Sequence, residues 1–230
     1  RMDLQKRQQA RIGVEKRIAA AWKAFESDRA AVAYQNSSPI RPERVMTALQ
    51  SLLTPRTTVV ADASYSSMWI AGQLRALAPG MRFVTPRGLA GLGWGLPLAL
   101  GAKLARPSEP VVALVGDGGF AHSWAELETM VRNQLNVTVI VLNNGILGFQ
   151  RDAETVKFGQ YTTACHLGSV DHTQIAEACG CPAVRISTPD QIEDALKRGL
   201  SGIGPLLIEV ETDPGAHPPL SLFARMDDVA

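Results

Sequence analysis

Long uninterrupted apolar runs are missing from this 230-residue chain. A membrane-spanning helix needs roughly 20 consecutive apolar residues, and the nearest approach, the glycine-rich stretch from Leu89 to Ala102, is shorter and interrupted. An excess of one charge is missing too. Lys and Arg number 23 against 22 Asp and Glu, giving a net charge of +1 with no basic cluster. Nothing therefore marks a nucleic-acid partner or an anionic membrane surface. Cysteine is scarce: Cys165, Cys179 and Cys181 are an odd count, which argues against a disulfide framework, and Cys-Gly-Cys is tighter than the usual zinc spacing. His166, His172 and His217 show no metal-like spacing either. No cleavable signal sequence, internal repeat or low-complexity tract is read. What remains is a globular chain with reduced, buried thiols, expected in the cytoplasm, whose 46% apolar content suffices for one core and an appendage.

The appendage comes first. Residues 1–34 are rich in Ala, Arg, Lys, Glu and Gln and lack proline, and Ile12, Ile18, Trp22 and Phe25 recur at intervals that predict an amphipathic helix. Asn36-Ser37-Ser38-Pro39-Ile40-Arg41-Pro42 then breaks the periodicity. The chain is expected to divide into a helical connector or arm, 1–36, and a compact domain, 37–230, whose ordered part begins near Arg41. Strand-like runs at Thr58 to Ala61, Arg82 to Thr85, Val111 to Val115, Val137 to Leu142, Ala183 to Ile186 and Leu206 to Val210 alternate with helical stretches. That alternation predicts an α/β fold: a doubly wound, mostly parallel six-stranded sheet flanked by helices.

Two of those runs end in polar residues of unusual type. Gly116-Asp117-Gly118 follows Val111 to Val115, and Asn143-Asn144 follows Val137 to Leu142. Both runs lack polar alternation, as strands buried on both faces do. Between them, Ser123-Trp124-Ala125-Glu126 has the form of a capping box opening a helix that carries Trp124, Leu127, Met130 and Val131. Neighbouring parallel strands lie about 4.8 Å apart, so the crossover is expected to bring Asp117 and Asn144 within reach of one ion. A carboxylate with an amide carbonyl suits Mg²⁺. Gly118 and Gly119 lack Cβ atoms, which lets backbone amides approach phosphate oxygens closely. Asp-Gly and Asn-Asn-Gly are also good turn sequences in their own right.

The run from Gly116 to Asn144 resembles the cofactor signature of thiamine diphosphate-dependent enzymes. The resemblance extends from about Pro39 to Phe223 and implies the thiamine diphosphate-binding fold of the C-terminal domain, acetolactate synthase-like. It implies Mg²⁺ ligands at Asp117, Asn144 and the carbonyl of Ile146, with Gly116, Gly118, Gly119, Phe120, Ile146 and Leu147 against the cofactor. Gly88 to Pro97 holds four glycines in the eight residues from Gly88 to Gly95. Glycine at that density serves either close backbone approach to a ligand or a tight helix-sheet turn. The stretch resembles the synthase loop that wedges an apolar residue beneath the cofactor. By position that residue is Leu92, where synthases commonly carry methionine, and the carbonyl of Ala90 would accept from the exocyclic amine. Asp62 to Trp69 is similar to the synthase pattern Asp-Val-Gly-Gln-His-Gln-Met-Trp, of which Asp62, Met68 and Trp69 survive. Ser64 and Ser66 are candidate diphosphate donors, with capping of the next helix as the other use of these serines.

The chain also departs from the synthase pattern. After the asparagine pair it reads Gly145-Ile146-Leu147-Gly148-Phe149-Gln150, without the tryptophan that shapes the acceptor pocket in synthases. The resemblance implies decarboxylation of a 2-keto acid and carboligation to an acceptor carbonyl, as in branched-chain amino acid biosynthesis. The alternatives are a non-carboligating 2-keto acid decarboxylase, of the benzoylformate or pyruvate type, and a non-catalytic degenerate domain. In this family the activating glutamate sits on a pyrimidine-binding domain. None is recognised here, so the chain alone is expected to be inactive. A second copy or a pyrimidine-domain chain is expected to complete the site, in a homo-oligomer.

Overall fold

A computed structural model describes residues 3–218. The end of the expected domain, including Phe223, lies outside them. Six strands form one parallel sheet in the order β2-β1-β3-β4-β6-β5. They are β1 Thr58–Ala61, β2 Arg82–Val84, β3 Val111–Gly116, β4 Val137–Asn143, β5 Ala183–Ile186 and β6 Leu206–Glu211. Each falls within a residue of the run predicted for it. The helix just before them is α2 Pro42–Leu52, and those between them are α3 Tyr65–Gln73, α4 Gly95–Ala105, α5 Asp117–Phe120, α6 Glu126–Arg132, α7 Gly148–Phe158, α8 His172–Ala178 and α9 Ile192–Leu200.

The side-chain alternation of a strand explains the unbroken apolar runs. Val112, Leu114, Ile140, Leu142, Ile208 and Val210 belong to a core layer with Val45 and Leu49 of α2 and Ile192 and Leu196 of α9. Val111, Ala113, Val115, Val137, Val139, Val141 and Leu207 join a second layer with Leu96 and Leu100 of α4, Leu127 and Met130 of α6, and Ala176 of α8. Both faces of the central strands are thus dry, and each buried Val, Leu or Ile contributes about 1.5–3 kcal/mol.

Strand order locates the functional end. From β1 the chain moves outward to β2, then crosses back over β1 to β3 and continues through β4. The direction reverses between β1 and β3, and the crevice beyond their carboxyl ends is where doubly wound sheets bind ligands.

The amino-terminal helix, α1, runs from Leu4 to Ala33 and is capped by Asp3, whose carboxylate accepts from the amides of Gln5 and Lys6. A helix forms over the stretch that the periodicity marked, with Ile12 and Ile18 53% and 52% exposed. Only its last turns are fastened: the Arg29 guanidinium, buried, donates to Gln73 Oε1 at 2.7 Å and to Thr47 Oγ1 at 2.8 Å.

The capping box does not form. Helix α6 begins at Glu126, and Ser123 Oγ, though buried, has no hydrogen-bond partner among the described residues. The reason is that Phe120 to Ala125 already runs in turns. The amides of Glu126, Leu127 and Glu128 donate to the carbonyls of Ser123, Trp124 and Ala125, so no orphan donors await a cap.

Candidate cofactor site

β3 and β4 pair in register from Val111 with Val137 through Gly116 with Leu142, which places Asp117 and the Asn143-Asn144 pair side by side at the sheet's mouth. The Asp117 carboxylate grips the turn that leaves β4: Oδ2 accepts from the amides of Asn144 at 3.1 Å and Gly145 at 2.7 Å, and Oδ1 accepts from Gly118 at 2.7 Å. The Asn144 amide oxygen accepts from the Ile146 amide at 3.2 Å, folding residues 144–146 into an Asx-turn. Gly145 sits at φ 68°, a conformation glycine adopts without steric cost.

One cavity joins these residues. Its walls come from Asp62 to Ser66 after β1, Gly116 to Gly119 after β3, and Asn144 and Ile146 to Gly148 after β4, with Leu92 reaching in from the glycine-rich loop. Of the predicted site residues, Ser64, Ser66, Leu92, Gly116, Asp117, Gly118, Gly119, Asn144, Ile146 and Leu147 all line it. Two do not. The Phe120 side chain is fully buried in the core, edge-on to Trp124 and His172. Ala90 is exposed, at φ 57° on the rim loop. His122 is also outside the lining and packs against Gly93, where a Cβ would sit 2.5 Å from its own Cβ.

The glycines of the cradle answer first to the protein's own side chains. A Cβ at Gly118 would lie 2.4 Å from Leu147 Cδ2, and one at Gly119 would lie 2.1 Å from Asp62 Oδ2. Gly116 differs: its nearest neighbour would be Ser66 Oγ at 3.7 Å. Ser64, where the synthase pattern has glycine, holds φ 65° and ψ −145°, and its side chain does not cap α3. A serine in that region stores backbone strain, which structures tend to keep at functional sites.

Asp62 has a larger part than its sequence position disclosed. Its buried carboxylate accepts from Gly93 at 2.9 Å, Trp94 at 3.1 Å and Gly95 at 3.2 Å, besides its neighbour Ala63 at 2.9 Å. It therefore caps α4 and ties the glycine-rich loop to the end of β1. An acid ending a strand, with a glycine-rich helix start later in the chain, was the available signal. The pairing itself spans 31 residues.

The donor set fits a hard divalent cation. Burial pushes the Asp117 carboxyl above the ordinary carboxylate range, against the opposing pull of the amides of Gly118, Gly145 and Asn144. No Lys, Arg or His lines the cavity to balance that carboxylate. A cation held there would do what those amides do only in part. Among the described residues no three His, Cys, Asp or Glu side chains converge as a metal cage. The candidate set is instead one carboxylate with neutral carbonyl oxygens, which suits an ion that keeps waters and phosphate oxygens in its shell.

A parallel α/β sheet whose switch-point cavity is built from a buried aspartate, an asparagine turn and a glycine cradle belongs to the class of phosphate-binding doubly wound domains. The family is given by comparison. The family described as thiamine pyrophosphate enzyme, C-terminal TPP binding domain, matches residues 62–210, and the chain belongs to it. It is 32% identical over 196 residues to the acetolactate synthase of Bacillus subtilis, covering 85% of this chain and 32% of that protein. It is 31% identical over 192 residues to the probable acetolactate synthase large subunit of Methanocaldococcus jannaschii, covering 80% of this chain and 32% of that one. Among solved structures, a thiamine diphosphate-dependent 4-hydroxybenzoylformate decarboxylase from Rhodococcus jostii superposes with a TM-score of 0.72 at 26% identity, over 77% of this chain and 33% of that chain. The chain spans about a third of the length of these relatives.

Proposed function

We propose that this chain supplies the diphosphate- and metal-holding part of an acetolactate synthase-like active site. In that reading Mg²⁺ is held by Asp117, Asn144 and the Ile146 carbonyl. The amides around Gly118 and Gly119, with Ser64 and Ser66, receive the diphosphate of thiamine diphosphate, while Leu92 supports the cofactor and Gly116 and Leu147 lie along it. When bound, the cofactor supplies the carbanion that attacks a 2-keto acid such as pyruvate. The chain's own residues bind, orient and exclude water. The observation that carries the proposal is the grip of Asp117 Oδ2 on the amides of Asn144 and Gly145, which joins the two halves of the motif at one cavity.

The acids lining the cavity are Asp62, Asp117 and Asp213, and no glutamate is among them. In the proposed reading an activating glutamate comes from a pyrimidine-binding domain or a second copy, in a transferase or lyase assembled from more than one domain, so that the chain in isolation is inactive. The helical extent of α1, ahead of the Asn36 to Pro42 break, supports its reading as connector or arm, 1–36, and residues 37–230 as the cofactor domain. No described helix is long and apolar enough to cross a membrane.

A second reading rests on position 149. Phe149 meets Tyr65 edge-on at 6.1 Å beside the cavity, and no tryptophan follows Leu147 to shape an acceptor pocket. Simple 2-keto acid decarboxylation is then the competing outcome. Product analysis of the full-length enzyme with pyruvate separates them. Acetolactate supports the synthase reading, and aldehyde alone refutes it.

A further inference from the structure

Beside the cavity lies a buried charge cluster that the cofactor reading leaves without a role. Asp152, one turn into α7, has no solvent exposure. It accepts a hydrogen bond from the Tyr65 hydroxyl on one oxygen, and on the other it accepts from Arg151 Nε at 2.5 Å. Arg151 in turn donates to the Pro214 carbonyl. Burial, then the bond to Asp152, raises the Tyr65 phenol above its ordinary range, so the hydroxyl stays a donor.

Tyr65 is also a wall of the cavity. Its ring lies against the Gly148 backbone so closely that a Cβ there would meet Cδ2 and Cε2 at 3.0 Å. The segment between Asn144 and Gly148 is therefore held at several points. Asp117 takes its first two amides, and residues 165–167 take its far strand edge through Leu147 N to Cys165 O at 2.8 Å and Leu167 N to Gly145 O at 2.9 Å. Tyr65 and Asp152 pin its exit into α7. A buried acceptor that loses its donor is left unsatisfied at a cost in free energy, so the pin resists opening.

We propose that Asp152 is a positioning residue for the metal-binding turn: through Tyr65 it fixes the first turn of α7, and with it the angle at which Asn144 and Ile146 present their oxygens. The inference rests on the cofactor reading given above, and its test is chosen to separate the two. Hydrogen exchange on the cofactor-free, full-length protein reads the pin directly. Tyr65→Phe is expected to speed exchange of the amides of residues 144–148 at least tenfold while those of β3 and β4 keep their protection. Asp152→Asn is expected to do the same, and the double variant little more, because both remove one link. In calorimetry with thiamine diphosphate, the Mg²⁺ dissociation constant is expected to rise about tenfold in either variant.

Unchanged exchange at 144–148 in Tyr65→Phe overturns the inference. So does acceleration spread evenly over the sheet, which is what a merely structural role gives. If wild type binds no Mg²⁺ with thiamine diphosphate, the functional reading falls, and the exchange result still decides whether the pin exists.

Discussion

Thirty residues of α1 bury only Arg29 and Ala33, whereas all four residues of α5, from Asp117 to Phe120, are buried. Both segments are helical, yet different forces hold them. α1 leans on propensity, on an N-cap at Asp3, and on surface pairs such as Arg11 with Glu15 at 2.7 Å. Such pairs contribute little in water. α5 is too short to be stable alone and exists because the sheet, the Leu147 side chain and buried Asp62 surround it and its own Asp117 ties it to the turn after β4. The contrast teaches where precision was placed: around the cavity Asp62 and Asp117 gather backbone amides and Gly118 and Gly119 have no room for a Cβ, while the arm tolerates loose ends.

That contrast can be broken by substitution, beginning where the effect is largest. Asp62→Ala strips the acceptor from four amides around the glycine-rich loop, and chemical denaturation is expected to show a loss of about 3 kcal/mol. Gly118→Ala sets a methyl 2.4 Å from Leu147 Cδ2, and the same measurement should give about 2 kcal/mol, because overpacking forces the neighbour off its rotamer. A loss as small as that of a surface change at either site would erase the distinction between the two regions. Ile12→Ser, on the exposed arm, is expected to fall within about 0.5 kcal/mol of wild type; a loss above about 2 kcal/mol would mean the arm is part of the core.

Thiol chemistry sharpens the comparison at its finest. Burial pushes the Cys181 thiol up to about 11, while Cys179 is only half-buried. The thiolate is the reactive form, so alkylation at about pH 8 is expected to label Cys179 well before Cys181. Equal rates would show that this part of the domain opens readily.

What the sequence disclosed obeys the same division. The strands were legible because unbroken Val, Ile and Leu runs need no partner information to be recognised. Asp117 and Asn144 were legible because each comes directly after such a run. The role of Asp62 was hidden, since its partners Gly93 to Gly95 are reached only through the fold. Tyr65 and Asp152, 87 residues apart, were hidden for the same reason. Ser123 misled in the other direction: the local pattern of a capping box is present, but the preceding turns had already satisfied the amides it would cap. The apolar residues of α1 showed helical spacing without disclosing that Ile12 and Ile18 stay about half exposed.

The central claim is that Asp117 and Asn144 hold one cation, and a double-mutant cycle on Mg²⁺-dependent thiamine diphosphate binding tests it most directly. Calorimetry of wild type, Asp117→Ala, Asn144→Ala and the double variant is expected to show about 100-fold weaker binding for Asp117→Ala, about 2.8 kcal/mol. The double variant should be scarcely worse, because two ligands of one ion are not additive. Independent, additive losses, or binding by Asp117→Ala equal to that of wild type, would contradict the account.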